Sequence, residues 1–163
     1  MTDSPLDPVD AAILEVFSTI PRVGVLECAR RLGVARGTVQ ARLDRMTRDG
    51  VIRGWGPELD AAAMGYTVTA FVTLEIRQQH PSRAAHDAVA DRLAEVPEVL
   101  EAATTTGAGD MLVRVVARSN ADLQRVLDLV LATDGVVRAS TVIALQTQVP
   151  ARMLPLVRAA AGH

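Results

Sequence analysis

Val25-Leu26-Glu27-Cys28-Ala29-Arg30-Arg31-Leu32-Gly33-Val34-Ala35-Arg36-Gly37-Thr38-Val39-Gln40-Ala41-Arg42-Leu43-Asp44 is the stretch that decides the fold. A short helix over about Val25 to Leu32, with Leu26, Ala29 and Leu32 inward, stops at Gly33. A second helix begins near Arg36, carries Val39, Leu43 and Met46 along one apolar stripe, and ends at Gly50, where a left-handed cap is wanted. Two helices joined by a three- or four-residue turn, with a small residue at their crossing (Ala29) and a glycine in the turn, describe a helix-turn-helix spanning about residues 25–44. Upstream, Asp7-Pro8-Val9-Asp10 reads as a capping box with proline at the first helical position. It starts a helix over about Pro8 to Phe17, whose stripe is Val9, Ile13, Leu14 and Phe17 and which Pro21 ends. Downstream, Val51 to Gly56 is short, extended and closed by Pro57, and reads as a wing or a connecting strand.

Charge sets this segment apart. The 163 residues carry a net charge of -2, yet from Arg22 to Arg53 eight arginines meet only Glu27, Asp44 and Asp49. That local +5 leaves -7 for the rest, so a basic module sits beside an acidic one. Away from its apolar stripe the second motif helix presents Gly37, Thr38, Gln40, Ala41, Asp44, Arg45 and Arg48, a face suited to a major groove. A helical bundle whose arginines are merely solvated is the alternative, and the charge contrast favours DNA.

The following hundred residues have a different period. Thr67 to Arg77 alternates, with Val68, Ala70, Val72, Leu74 and Ile76 on one face. His80-Pro81-Ser82 breaks that strand, and Ser82 caps a helix with Ala85, Val89, Leu93 and Val96 inward, stopped by Pro97. A strand over about Val99 to Thr106 turns through Gly107-Ala108-Gly109-Asp110 and returns as Met111 to Arg118. Ser119-Asn120 caps a further helix with the stripe Leu123, Val126, Leu127, Val130 and Leu131, and Thr133-Asp134-Gly135 turns into a last strand, Val136 to Val149. Strand, helix, strand, strand, helix, strand is the ferredoxin-like βαββαβ unit, with both helices on one face of the sheet. The other face, with its threonines and Phe71, is wet or covered by a second copy, and the second option is favoured. The fold class is therefore α+β: a winged helix-turn-helix domain over residues 1–55, a linker strand over 56–65 and a ferredoxin-like domain over 66–163.

Several chemistries find no residues here. The three histidines, His80, His86 and His163, do not converge at metal-ligand spacing, so no metal site or cofactor is expected. Cys28, the single cysteine, reads as a packed thiol, and no acid–base pair marks a catalytic centre, so the chain is read as no enzyme. With four aromatic residues (Phe17, Trp55, Tyr66, Phe71) a stacking platform for RNA is disfavoured. No signal-like or membrane-spanning stretch occurs, and one cysteine suits a reducing compartment, so a soluble cytoplasmic protein is expected. The Gly107 to Asp110 stretch lacks the lysine and helix of a phosphate loop. It is either a plain turn or a place where exposed backbone and the Asp110 carboxylate hold a small ligand's ammonium.

The layout resembles the Lrp/AsnC family of transcription regulators. The residues that carry the resemblance are Leu6-Asp7-x-x-Asp10-x-x-Ile13-Leu14, Glu27-x-Ala29-x-x-Leu32-Gly33-Val34, Val39-x-x-Arg42-Leu43-x-x-Met46-x-x-x-Gly50-Val51-Ile52, Thr106-Gly107-x-x-Asp110 and Gly135-Val136. The resemblance implies dimers paired through their sheets, often assembled into octamers or other rings, and an amino acid or related effector bound between dimers. Gly107 and Asp110 match that pocket, with Thr141 on the last strand as a further candidate. Ala108-Gly109 stands where the family commonly has an acidic residue and an aromatic, and Ala35 where it often has a capping serine. The expected activity is sequence-specific binding of double-stranded DNA by a homodimer or ring of dimers. Thr38, Gln40 and Arg45 are expected at base edges, Ala41 at a thymine methyl, and Arg36, Arg42 and Arg48 at phosphates. The alternative is a DNA-independent small-molecule-binding module whose N-terminal helices mediate assembly.

Overall fold

The computed structural model describes residues 6–77 and 83–162. They fall into two compact units, one formed by the chain up to Pro57 together with Val149 onward, the other by Glu58–Gln148. In the first unit, helix α1 (Pro8–Thr19) is closed by the anticipated capping box. The Asp7 carboxylate accepts from the N–H groups of Val9 and Asp10 at 2.8 and 2.9 Å, and Asp10 accepts from the Asp7 N–H at 3.0 Å. The helix runs two residues past Phe17, because Pro21 forces only the residue before it, Ile20, into extended geometry.

Helix α2 (Val25–Leu32) ends at Gly33. Its inward side is Val25, Cys28, Ala29 and Leu32, one position out of phase with the reading that turned Leu26 inward; Leu26 is 68% exposed. Helix α3 (Arg36–Arg48) buries Val39, Leu43 and Met46 against α1 and α2, in a cluster that also holds Leu6, Ile13 and Cys28. Neither a wing nor a linker strand forms: among the described residues, 51–65 pair with no strand. Gly54, Gly56 and Pro57 disfavour extended pairing. Instead Trp55 packs edge-on against Phe17, ring centroids 5.3 Å apart.

The second unit runs β1 (Val68–Ile76), α4 (Arg83–Leu93), β2 (Val99–Thr104), β3 (Met111–Ala117), α5 (Asn120–Leu131) and β4 (Val136–Ala144). Its sheet is antiparallel in the order β2-β3-β1-β4. Ala70, Val72, Leu74 and Ile76 of β1 and Met111, Val113, Val115 and Ala117 of β3 form one face, packed with Val89, Leu93, Leu123, Val126 and Val130. The Ser119 hydroxyl caps α5 by accepting from the Asp122 N–H at 3.1 Å. Leu131, expected inward, is 46% exposed at the helix end. The opposite sheet face carries Phe71, paired with Arg114 and Val142, and Thr73, paired with Leu112 and Ser140. Ser82 as a cap, like His80 and His163, lies outside the described residues.

The chain's end departs from the reading that assigned residues through 163 to the sheet domain. Strand β4 stops at Ala144 and not at Val149, and residues 154–161 form a further helix, α6 (Leu154–Ala161). It belongs to the first unit, where Val157 and Ala160 join the apolar cluster and Arg158 donates to Glu15 of α1 at 2.5 Å.

Candidate DNA interface and effector turn

Helices α2 and α3 are joined by Gly33-Val34-Ala35, and Ala29 is buried where they meet. As its side chain dictates, Ala35 caps α3 without a side-chain bond; its carbonyl accepts from Thr38 and Val39 at 3.0 and 3.3 Å. With Val39, Leu43 and Met46 turned inward, α3 leaves Arg36, Gly37, Thr38, Gln40, Ala41, Asp44 and Arg48 exposed.

Two of the expected DNA contacts are engaged elsewhere. Arg42 Nη1 donates to Asp10 Oδ1 at 2.7 Å and to Asp7 Oδ2 at 2.6 Å, and Arg45 Nη2 donates to Asp10 Oδ2 at 2.5 Å. Asp10 is fully buried. Burial pushes its carboxyl up, but the Arg45 bond, the Asp7 N–H and the Arg42 bond outweigh burial and hold it below the ordinary aspartate value. Asp7 is lowered too, chiefly by Arg42. These ion pairs fasten α1 to α3 and neutralise two arginines of the basic module. Arg30 and Arg31 pair with Glu27 on α2. Among the described residues Arg36 and Arg48, at the two ends of α3, make no ion pair, so they are its uncommitted cations. Between them Gln40 Nε2 donates to Asp44 Oδ1 at 2.8 Å.

The sequence reading missed Asp7 and Asp10 as partners of α3, because it saw them only as caps. Their double use had one visible sign: two acids ahead of a helix whose unit is otherwise rich in arginine. Cys28 is buried and burial pushes its thiol up, as a packed thiol requires.

The β2–β3 turn is held against β1. The Asp110 N–H donates to the Leu74 carbonyl at 2.8 Å, and Asp110 Oδ2 accepts from the Ile76 N–H at 2.7 Å, beside the register shift at Glu75/Ile76. Thr105 Oγ1 donates to the Gly109 carbonyl at 3.2 Å. A Cβ at Gly109 would lie 2.3 Å from Thr73 Cγ2 and 3.2 Å from the Leu74 carbonyl, so any side chain there requires Thr73 or the turn to shift. Gly107 is exposed at φ 112°, a backbone region open to glycine. Asp110 thus anchors the turn through its carboxylate. Thr141, opposite Val72 on β4, is exposed and separated from the turn by β1. The structure brings Gly107 and Asp110 together and leaves Thr141 apart. A buried carboxylate that periodicity did not disclose, Glu98, accepts from Arg125 of α5 at 2.5 Å.

Among the described residues no cluster of side chains could hold a metal ion, and no helix is long and apolar enough to cross a membrane. A helix-turn-helix unit with uncommitted cations on its second helix, followed by an antiparallel sheet with two helices, defines a two-module DNA-binding transcription regulator. Residues 6–47 match the AsnC-type helix-turn-helix domain and residues 69–154 the Lrp/AsnC ligand binding domain. The chain belongs to the Lrp/AsnC family of transcription regulators. It is 30% identical over 152 residues to the HTH-type transcriptional regulator FL11 of Pyrococcus horikoshii, covering 93% of this chain and 97% of the relative. Regulatory protein AsnC of Escherichia coli is 29% identical over 153 residues, 92% of this chain and 97% of its own. The solved E. coli AsnC structure superposes with a TM-score of 0.80 at 27% identity, covering 92% of this chain and 99% of that one. A Neisseria meningitidis transcriptional regulator solved as a complex with L-Met gives a TM-score of 0.79 at 26% identity, over 93% of this chain and 97% of that one.

Proposed function

We propose that this regulator works in the cytoplasm as a homodimer or ring of dimers, setting two copies of α3 in successive major grooves of a partly palindromic site. The observation that carries the reading is the exposed face of α3, with Arg36 and Arg48 at its ends making no ion pair among the described residues and Thr38, Gln40 and Ala41 between them. Arg36 and Arg48 neutralise phosphates, Thr38 and Gln40 meet base edges, and Ala41 meets a thymine methyl. Arg42 and Arg45 take a changed role: they orient α3 on α1, and Arg45, 41% exposed along its side chain, reaches DNA only while sharing Asp10.

An amino acid or related small molecule acts as effector at the Gly107–Asp110 turn. The L-Met complex of the Neisseria relative supports that class of ligand. Thr141 joins such a site from a neighbouring copy, since β1 separates it from its own turn. The effector shifts DNA binding by favouring one assembly over another, which requires different affinity for the two. No catalysis is part of this reading.

The test is a gel shift on duplex DNA from around the protein's own gene, at two salt concentrations, with and without each of a panel of amino acids. A sequence-specific shift that weakens steeply with salt and that one amino acid alters is expected. No shift at low salt would move the reading to a DNA-independent ligand-binding module.

A further inference from the structure

We propose that Asp44 determines sequence specificity through Gln40, restricting that side chain to bases that offer an amino donor in the major groove, adenine foremost. The inference rests on the DNA-reading role of α3 and concerns how the helix chooses among bases.

A glutamine amide can present either of two ends, an acceptor oxygen or a nitrogen with two donors. An ionised carboxylate only accepts, so Asp44 Oδ1, at 2.8 Å from Gln40 Nε2, fixes which end faces it. Oε1 must then point away from Asp44, with the second N–H beside it. That pair of groups matches adenine, whose N6 amino group donates and whose N7 accepts. Cytosine satisfies Oε1 alone through its N4 amino group. Guanine and thymine bring acceptors, O6 and O4, against Oε1 and are disfavoured. Without the carboxylate the amide is free to turn over and offer both donors to guanine.

The surroundings of the pair agree with this role. Gly37 and Ala41 flank Gln40 on the exposed side of α3, so Gln40 is the long uncharged polar side chain in the first half of the helix. A Cβ on Gly37 would meet nothing within 4 Å, so the packing of the protein does not demand glycine there. Its absence of side chain lets the helix approach a groove closely. Asp44 pairs with no arginine among the described residues. A carboxylate left uncompensated on a phosphate-facing helix weakens binding to every sequence, and discrimination is what it can return.

Selection from a randomised duplex library, using the full chain, separates this from a mere helix-surface pair, which would leave base choice untouched. Wild type is expected to favour adenine about tenfold at one position of each half-site. Gln40→Ala should erase that preference. Asp44→Ala should keep the rest of the site but admit guanine there, the adenine-to-guanine ratio falling about five- to tenfold, while affinity for unrelated duplex rises. Asp44→Asn, which can accept or donate, should fall between and serves equally if the alanine variant fails to fold. An Asp44→Ala profile identical to wild type overturns the proposal while leaving the DNA-reading role intact. Wild type enriching no sequence at all overturns both.

Discussion

At the scale of single residues, Asp10 joins the cap of α1 to two arginines of α3. It is fully buried, accepts from Arg42 at 2.7 Å and Arg45 at 2.5 Å, and closes the α1 capping box at 3.0 Å. Asp10→Asn keeps the shape and removes the charge that both guanidinium groups face. Breaking a fully buried pair costs about 3–5 kcal/mol; both arginines are partly exposed, so a loss of about 2 kcal/mol is expected. Trp55 is the only tryptophan and lies against Phe17 in this same unit, so urea unfolding followed by its fluorescence reads the loss directly. The pH dependence has a definite sign. Asp7 and Asp10 are both held below their ordinary value, so the unfolded chain binds protons first as pH falls. Their stabilisation is complete above the ordinary aspartate value of about 3.9 and is lost as pH drops through the lower folded values. The acid limb of the Trp55 transition should therefore flatten in Asp10→Asn; an unchanged limb would mean that other carboxylates control it.

At the scale of elements, the β2–β3 turn and α6 make contrasting tests. Gly109→Ala drives a methyl to 2.3 Å from Thr73 Cγ2, and overpacking of this kind costs about 1–3 kcal/mol. Thr73→Ala should recover part of that loss in the double variant, a coupling that thermal melts of the four proteins would measure; strict additivity would show that the turn moves off β1 instead. Truncation after Arg152 removes α6 and uncovers the apolar surface that Val157 and Ala160 cover in the first unit. The Trp55 transition should fall while the sheet unit's circular dichroism transition holds, whereas Arg158→Ala, which removes only an exposed pair with Glu15, should cost about 0.5 kcal/mol or less. These elements also mark what could be read in advance. Helices α1, α2 and α3 and the alternating β1 were legible because caps, glycine stops and periodic apolar residues are local signals. Arg42 and Arg45 were legible as cations but not as partners of Asp10, more than 30 residues away in the chain. Likewise α6 follows from docking on α1, and the strand expected over 56–65 depends on a pairing partner that local sequence does not specify. Periodicity carries no information about either.

For the whole molecule, the open face of the sheet bears on the proposed pairing of copies. Phe71, Leu112 and Val142 are 39%, 38% and 65% exposed, and Phe71 and Val142 stand directly opposite each other in the β1–β4 register. An apolar group of this kind on a small sheet favours a second copy, and a two-fold pairing would give one particle two α3 helices. Val142→Asp tests that pairing without disturbing the fold, since the side chain is mostly exposed in the single chain. A charge forced into the joined face should weaken self-association by about a hundredfold, a cost of about 3 kcal/mol. Sedimentation at micromolar concentration should show wild type as a dimer or larger ring and the variant as monomer. Affinity should fall sharply on a duplex with two half-sites and little on a duplex with one, because α3 itself is untouched. Unchanged sedimentation would mean that copies meet through another surface, and equal losses on both duplexes would mean that the sheet influences α3 within a single chain.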